Sequence, residues 1–305
     1  MKRVVYWLLI ILLSLIFLAS AITVADYLIG SVKYKSQLSD LQQMHTMTET
    51  RPSVSLRQPT DGVTVPSDPT IPSDPTDPTD PENITRPTDP QPTDPKPTDP
   101  VIKPPDTTTP DKPVMLPELV GLYKMNKDLV GYVYIPDTNV NCPVVQRKSE
   151  KDYYLHRDFL KQETRHGCVY VREACDVFEP SDVVTLYGHN MADNTMFSHV
   201  HKFKKKDFFK SHPILYFDTL YERHTYQVVC VFRTSAKYGE GFPYHLYDDF
   251  NNKEEFDEFV KNARALAVQD SHISVHYGDK LLLLSTCEGA AGSDQRLVLM
   301  AVRID

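Results

Sequence analysis

The amino-acid sequence predicts a mainly β domain, either a closed barrel or a sandwich, in the C-terminal part of a 305-residue chain. The first observation is that eight short strand-like runs lie within about 175 residues, separated by segments rich in Gly, Pro, Asn and Asp. The second is that one long helical pattern interrupts them, whereas an α/β repeat would alternate strand and helix throughout. The third is that 19 of the 24 prolines lie between Pro52 and Pro117, so the folded domain is confined to the residues that follow.

The strands are predicted from runs rich in β-branched and aromatic residues. In chain order they are residues 131–135, 140–145, 167–171, 183–187, 214–218, 225–234, 280–286 and 296–303. A helix is predicted before the first strand, at residues 116–127, because Leu119 and Tyr123 lie on one helical face. A second, amphipathic helix is predicted between the sixth and seventh strands, at residues 252–268, with Asn252 as its N-cap.

Residues 1–30 are predicted to form a membrane anchor. Lys2 and Arg3 precede an uncharged and largely apolar run at residues 4–25, which is long enough to cross a bilayer core of roughly 30 Å. The positive residues predict that the N-terminus stays in the cytoplasm and that the rest of the chain lies outside the cell. The alternative is a cleaved signal peptide, because Ala19-Ser20-Ala21 has the form of a cleavage site, although the apolar run is longer than usual for one.

A juxtamembrane segment, residues 31–51, and a stalk, residues 52–117, are predicted to separate the anchor from the globular domain at residues 118–305. The stalk consists largely of Pro-Thr-Asp and Pro-Ser-Asp units. With few large apolar residues it cannot offset the entropy of ordering, so we predict a disordered, acidic and extended spacer. Two interpretations stay open: the spacer holds the domain away from the bilayer, or it is a tolerated low-complexity expansion.

The charge pattern excludes a nucleic-acid partner, because the net charge is −8 and no basic patch is present. No cofactor or metal site is predicted, since the sequence has no CxxC pair. His199 and His201 have the alternate spacing of metal ligands, but they lie in a Lys-rich helical stretch. We interpret this pair as solvated surface.

Three reactive side chains lie at predicted strand ends. Cys287 directly follows the apolar run 281–286, Arg296 opens the next strand, and His189 comes shortly after the strand 183–187. A cysteine thiol needs a nearby base, or a cation that lowers its pKa, before it acts as an acyl-transfer nucleophile. The order of strand ends predicts that these three residues form one site.

The motifs around these residues resemble those of the sortase family of Gram-positive surface cysteine transpeptidases, and class B in particular. The segments that carry the resemblance are Gly131-Tyr132-Val133-Tyr134-Ile135-Pro136, Pro143-Val144-Val145-Gln146, Tyr153-Tyr154-Leu155-His156, Tyr187-Gly188-His189-Asn190-Met191, Leu284-Ser285-Thr286-Cys287 and Arg296-Leu297-Val298. The resemblance implies an eight-stranded sortase-type β-barrel with an N-terminal helix and a helix inserted between strands 6 and 7. It covers residues 116–305.

The resemblance also implies the chemistry. Cys287 would attack the carbonyl after a threonine in the C-terminal sorting signal of a secreted protein, and an amine of the cell-wall precursor or its cross-bridge would resolve the thioacyl enzyme. His189 would act as general acid and base, and Arg296 as a hydrogen-bond donor to the substrate carbonyl or oxyanion. A plainer interpretation of Arg296 is a surface ion pair with Glu288 or Asp294.

Four further residues are predicted to contact the substrate, namely Ser285, Thr286, Glu288 and Asn190. The predicted anchor and its positive flank imply a single-pass protein of the cell membrane, with the N-terminus in the cytoplasm and the catalytic domain outside the cell. Two other functions stay open from the residues alone: a secreted cysteine hydrolase that uses water as acceptor, and a non-enzymatic binding module on a stalk.

Overall fold

The structure is a computed structural model that describes residues 2–45, 51, 53–60, 113–237, 239–289 and 293–305. The helices are α1 Lys2–Met44, α2 Pro117–Met125, α3 Lys206–Ser211 and α4 Lys253–Ala265. The strands are β1 Leu129–Tyr134, β2 Asn141–Val145, β3 Val169–Val171, β4 Val183–Tyr187, β5 Ile214–Thr219, β6 Thr225–Ser235, β7 Ala267–Asp270, β8 Leu281–Cys287 and β9 Gln295–Arg303. Short 3-10 helices lie at Tyr153–His156, Ser198–Lys204 and Tyr244–Leu246.

Eight of the strands form a closed barrel. Their order is β5-β1-β2-β3-β4-β8-β9-β6, and the pairing of β5 with β6 closes the ring. The predicted eight-stranded barrel is therefore confirmed. β7 was not predicted. It pairs with β6, at residues further along that strand than the residues that pair with β5. Its four residues are all half-buried, so they lack the alternation that reveals a strand in a sequence.

Two pairings bring the predicted reactive residues to one end of the barrel. β4 and β8 are parallel neighbours, with Tyr187 opposite Ser285, so both strands end at the same edge. β8 and β9 are antiparallel, and Cys287 lies directly opposite Arg296. His189, two residues beyond the end of β4, follows the same edge.

The four consecutive leucines of β8 reflect a strand that is buried on both faces. Leu282 and Leu284 belong to the apolar cluster that also contains Leu186 of β4. Leu281 and Leu283 belong to a second cluster, to which α4 contributes Phe256, Phe259 and Ala263. Successive side chains of a strand point to opposite faces, so a continuous apolar run is required where helix and barrel interior cover both.

The helix predicted between the sixth and seventh strands is α4, and its start is confirmed. Its predicted end at residue 268 is wrong, because the helix ends at Ala265 and residues 267 and 268 already belong to β7, which pairs with β6. The side chain of Asn252 accepts a hydrogen bond from the Glu255 backbone N–H at 2.9 Å, as an N-cap does. Glu254 and Glu255 lie in the first turn, where the helix dipole favours acidic residues.

α1 has two parts with different surroundings. The apolar side chains of its first part are exposed, and the helix is long and apolar enough to cross a membrane. Its last turns lie against the barrel, since Leu41 is buried and Gln42 Nε2 donates to the Asn141 carbonyl at 2.7 Å. The ring of His45, the residue after α1, stacks on the Tyr132 ring with their centres 3.5 Å apart. The segment predicted to be juxtamembrane, residues 31–51, is therefore largely a continuation of α1 that packs on the domain.

Residues 53–60, the first described residues of the predicted stalk, also lie on the barrel. Arg57 forms a bidentate ion pair with Asp279, and its backbone exchanges hydrogen bonds with the Gln227 side chain. The Thr60 N–H donates to the His272 carbonyl at 3.0 Å. Residues 53–60 are therefore packed on the domain and are not part of the predicted spacer. The prediction failed because the charged partner of Arg57, Asp279, is distant in the sequence. Residues 52 and 61–112 of the predicted stalk lie outside the described residues, and its last residues, 114–117, already belong to the domain, since the Leu116 N–H donates to the Leu220 carbonyl at 2.8 Å and α2 begins at Pro117.

Candidate active site

A cleft of about 590 Å³ opens where β4 and β8 end. His189, Cys287 and Arg296 all line it, so the structure brings together the three residues that were predicted to form one site. Much of the remaining lining comes from two stretches of chain, residues 148–174 and 244–246.

His189 is placed by a tight turn and by a carbonyl. A Cβ atom at Gly188 would lie 2.7 Å from the Phe197 ring, so only glycine allows that ring to pack beneath the turn. The His189 Nε2 atom lies 2.8 Å from the Leu155 carbonyl oxygen. A carbonyl oxygen only accepts hydrogen bonds, so Nε2 carries the hydrogen and Nδ1 is the nitrogen that can take up or release a proton.

The surroundings of His189 favour its neutral form. Burial lowers the pKa of its imidazole, and although the hydrogen bond to Leu155 opposes this shift, the nearby His156, His166 and Arg296 lower the pKa further. The His156 ring lies close, with its centre 5.8 Å from that of His189. At neutral pH the imidazole is therefore ready to accept a proton rather than already charged.

Cys287 is the last residue of β8 and differs from the other cysteines. All five thiols are free, but the other four are buried, whereas Cys287 is half-exposed in the cleft. Burial raises the pKa of each of those four, to about 12 for Cys142. A thiolate is the reactive form of cysteine, and Cys287 is the one thiol of the five that is accessible to solvent.

Arg296 faces Cys287 across the β8–β9 pair. Its Nη1 donates to the Ser293 carbonyl at 2.7 Å and to the Gln295 carbonyl at 3.0 Å, so the guanidinium is held by the backbone at the start of β9. The ion pair with Glu288 is absent from the described contacts of Arg296. The Glu288 carboxylate binds Lys204 at 2.8 Å and Arg233 at 2.9 Å instead.

The four predicted substrate contacts divide into two pairs. Ser285 and Thr286 line the cleft, and Ser285 Oγ lies 2.6 Å from the Tyr244 hydroxyl. Glu288 does not line the cleft, because its two cationic partners hold it elsewhere, and Asn190 is an exposed residue engaged in a β-bridge with Met196. The backbone N–H of Glu288 donates to the Gln295 carbonyl at 2.8 Å, so this N–H is engaged in a hydrogen bond to β9.

Two features of the site were not predicted. His201 Nε2 lies 3.0 Å from the Cys287 carbonyl oxygen, and His199 Nδ1 accepts from the Asn139 N–H at 2.9 Å. The interpretation of this histidine pair as solvated surface is therefore wrong, because both rings are half-buried and bound to backbone. The Leu155 carbonyl that orients His189 is the second feature, and a backbone group leaves no trace in a sequence.

One group of side chains in the described part of the chain has the composition of a metal site. Ligand atoms of His45, Glu118 and Asp218 lie within 4.8 Å of one another. Both carboxylates, however, form ion pairs with arginines, Glu118 with Arg223 and Asp218 with Arg51. The guanidinium groups already supply the positive charge that a divalent ion would bring, so the donor set does not fit a metal.

Comparisons with known proteins agree on one family. The Sortase domain family model matches residues 133–304. Sortase B of Staphylococcus aureus is 30% identical over 188 residues, which are 62% of this chain and 75% of that protein. The match confirms the family that the sequence motifs indicated.

Two solved structures extend the comparison to the fold. The S. aureus sortase B–substrate complex superposes with a TM-score of 0.57 at 31% identity, over 63% of this chain and 86% of that one. A sortase B complexed with triglycine superposes with a TM-score of 0.57 at 30% identity, over 62% and 86%. The predicted sortase-type barrel is confirmed by these similarities.

Proposed function

This chain belongs to the sortase family and is a class B-like cysteine transpeptidase, and we propose that it cleaves a C-terminal sorting signal of secreted proteins and joins the new carboxyl end to an amine of the cell-wall precursor. The observation that carries the proposal is that one cleft is lined by the half-exposed thiol of Cys287, the imidazole of His189, whose lowered pKa favours its neutral form, and the guanidinium of Arg296. A base beside a solvent-accessible thiol supplies acyl transfer without a cofactor.

In the proposed first half-reaction, Cys287 Sγ attacks the substrate carbonyl while its proton passes to His189 Nδ1. The carbonyl oxygen becomes negatively charged, and Arg296 donates a hydrogen bond to it. The C–N bond then breaks, and the protonated imidazole gives its proton to the leaving amine. A thioester on Cys287 remains.

The second half-reaction repeats these steps in reverse with a different amine. His189 Nδ1 takes a proton from the incoming amine, whose nitrogen attacks the thioester carbonyl, and the thiol of Cys287 is regenerated. The triglycine complex of a relative supports a glycine amine as acceptor, because the free amino group of such a peptide is the nucleophile that this step needs. The sorting-signal substrate is supported by a relative solved as a substrate complex.

We also propose that α1 anchors the protein in the cell membrane as a single span, with the N-terminus in the cytoplasm and the catalytic domain outside the cell. The exposed apolar surface of the first part of α1 supports this, since such a surface is stable in lipid. Arg3 at the start of the apolar run supports the orientation.

The test of the proposed function is product analysis with and without an amine. The full chain, in detergent, is incubated with a library of peptides that each contain a central threonine, in the presence or absence of triglycine. With triglycine we expect a cleaved peptide joined to it, detected by mass spectrometry, and without it slow release of the free acid. Equal release of the free acid in both reactions would instead support the hydrolase alternative.

A second prediction concerns the proline-rich segment. Both ends of this segment contact the domain on which α1 packs. At one end are residues 57–60, and at the other the Leu116 N–H donates to the Leu220 carbonyl at 2.8 Å. The position of the domain relative to the helix is thus set by direct contacts of α1 rather than by the length of residues 61–112. This favours the tolerated expansion over the interpretation as a spacer that provides reach.

Replacing residues 61–112 by a flexible linker of about 20 Gly and Ser residues, which spans on average about 25 Å, tests this interpretation. We expect unchanged kinetics of triglycine conjugation and unchanged amounts of covalently wall-bound protein in cells. As a control, a variant with a scrambled 61–112 segment keeps length and composition. If the amount of wall-bound protein fell for the short linker but not for the scrambled segment, the interpretation as a spacer that provides reach would be supported instead.

A further inference from the structure

We propose that the anchor helix is also a positioning element of the active site: Ser31 and Tyr34 of α1 hold the histidine loop, residues 188–197, that carries His189. The inference rests on the proposed function, because it assigns these residues a role in placing the general acid and base. Neither side chain lines the cleft, so any effect on turnover passes through the loop.

The histidine loop needs support from outside. It closes on itself, since the Phe197 N–H donates to the His189 carbonyl at 2.9 Å and Asn190 forms a bridge with Met196. Two of its residues, Asn194 and Met196, have φ angles of 61° and 55°. Such left-handed conformations are unfavourable for residues with a Cβ atom, by on the order of 1 kcal/mol each, and persist where neighbouring contacts enforce them.

Asp193 is the centre of those contacts. Its Oδ1 accepts hydrogen bonds from the Thr195 N–H at 3.2 Å and the Thr195 hydroxyl at 2.5 Å, within the loop. Its Oδ2 accepts from His166 Nε2 at 2.9 Å and from the Ser31 hydroxyl of α1 at 2.5 Å. The carboxylate side chain is only 8% exposed, so each of these bonds replaces water that the group lost on folding.

Tyr34 provides the second contact, one helical turn further along α1. Its ring stacks on the His166 ring with centres 4.5 Å apart and an 8° angle between planes, and its hydroxyl donates to the Met196 sulfur. Tyr34 is 9% exposed and belongs to the apolar cluster that contains Met196 and Phe197. The helix therefore touches the loop at Asp193 and at Met196, both between His189 and the residue that closes the loop.

The same helix also holds the other partner of His189. Leu155, whose carbonyl binds His189 Nε2, precedes a segment that α1 contacts through two hydrogen bonds, Gln37 to Asp158 at 3.1 Å and Lys33 to Gln162 at 3.0 Å. α1 therefore contacts both the histidine loop, which carries His189, and the segment that follows Leu155, whose carbonyl orients the imidazole. Because displacing a catalytic group by about 1 Å costs roughly a hundredfold in rate, loosening this support reduces turnover.

The test compares Ser31→Ala and Tyr34→Leu in the full chain with Ser36→Ala, the same type of change at an exposed position of α1. The readout is triglycine conjugation, with kcat and KM measured separately and the folded fraction monitored by near-UV circular dichroism. We expect kcat to fall roughly tenfold for Ser31→Ala, and further for Tyr34→Leu, at nearly unchanged KM. Tyr34→Phe keeps the stacked ring, so its kcat stays closer to that of the parent protein than that of Tyr34→Leu.

Two outcomes overturn the inference. One is a kcat for Ser31→Ala equal to that of Ser36→Ala; the other is a loss of activity that merely follows the loss of folded protein. Cys287→Ala, run alongside, separates these outcomes from a failure of the proposed function. If it retained conjugation activity, the chemistry itself would be wrong, whereas an inactive Cys287→Ala beside a fully active Ser31→Ala rejects only the positioning role.

Discussion

Cys287→Ala is expected to reduce peptide conjugation to background, a fall of at least about 10⁴-fold, while the barrel stays folded. In the proposed mechanism this residue supplies the atom that forms the thioester, and none of the other four cysteines can replace it: Cys168 also lines the cleft but is buried, as are Cys142, Cys175 and Cys230. The loss should appear in kcat with little change in the melting temperature, because the Cys287 side chain is half-exposed and removing it leaves no internal cavity. Conjugation kinetics and thermal unfolding, measured on the same preparation, check both parts.

The matched control is Cys230→Ala, in which a thiol is removed from the apolar cluster that α4 covers. Cys230 is fully buried on β6, so we expect a loss of stability of about 1 kcal/mol from the missing sulfur but normal turnover per folded molecule. Alkylation by iodoacetamide gives an independent measurement, with Cys287 labelled faster than the other thiols. Retention of conjugation by Cys287→Ala would show that another nucleophile carries the reaction.

The strands and the location of the site follow from local patterns, which explains why they were predictable. Alternation and apolar runs reveal β1 to β6, β8 and β9, and a parallel neighbour relation between β4 and β8 is enough to bring His189 and Cys287 to one edge. For the strands the information lies within a few residues of each element, whereas the pairing of β4 with β8 is a contact between distant parts of the chain that only the structure shows.

The contacts that were missed link residues far apart in the sequence. Ser31 and Asp193 are 162 positions apart, and Arg57 and Asp279 are 222 apart. The apolar residues of α1 can be read from the sequence, but the sequence cannot tell which of them meet lipid and which meet the barrel. The position of Glu288 has the same origin, because the side chains of Lys204 and Arg233 come from elements that only the closed barrel brings to it.

His189→Ala is expected to lower the turnover of triglycine conjugation by roughly 10² to 10⁴-fold with the fold intact. Without the imidazole, the thiol proton has no nearby acceptor and the leaving amine no proton donor, so both half-reactions slow. His276→Ala is the matched control, because His276 is an exposed histidine away from the cleft, and it should behave like the parent protein. Equal activity of the two variants would remove His189 from the mechanism.

The pH dependence of the parent protein tests the same assignment without a substitution. Burial lowers the pKa of His189, so protonation of the free enzyme at this residue sets in below the ordinary histidine value of about 6.5. The acid limb of kcat/KM, which reports protonation of this base in the free enzyme, should therefore have its midpoint below pH 6.5. In His189→Ala the residual activity should lack this limb. A midpoint at or above pH 6.5 in the parent protein, or an unchanged limb in the variant, would assign the titration to another group and leave His189 without its role as acid and base.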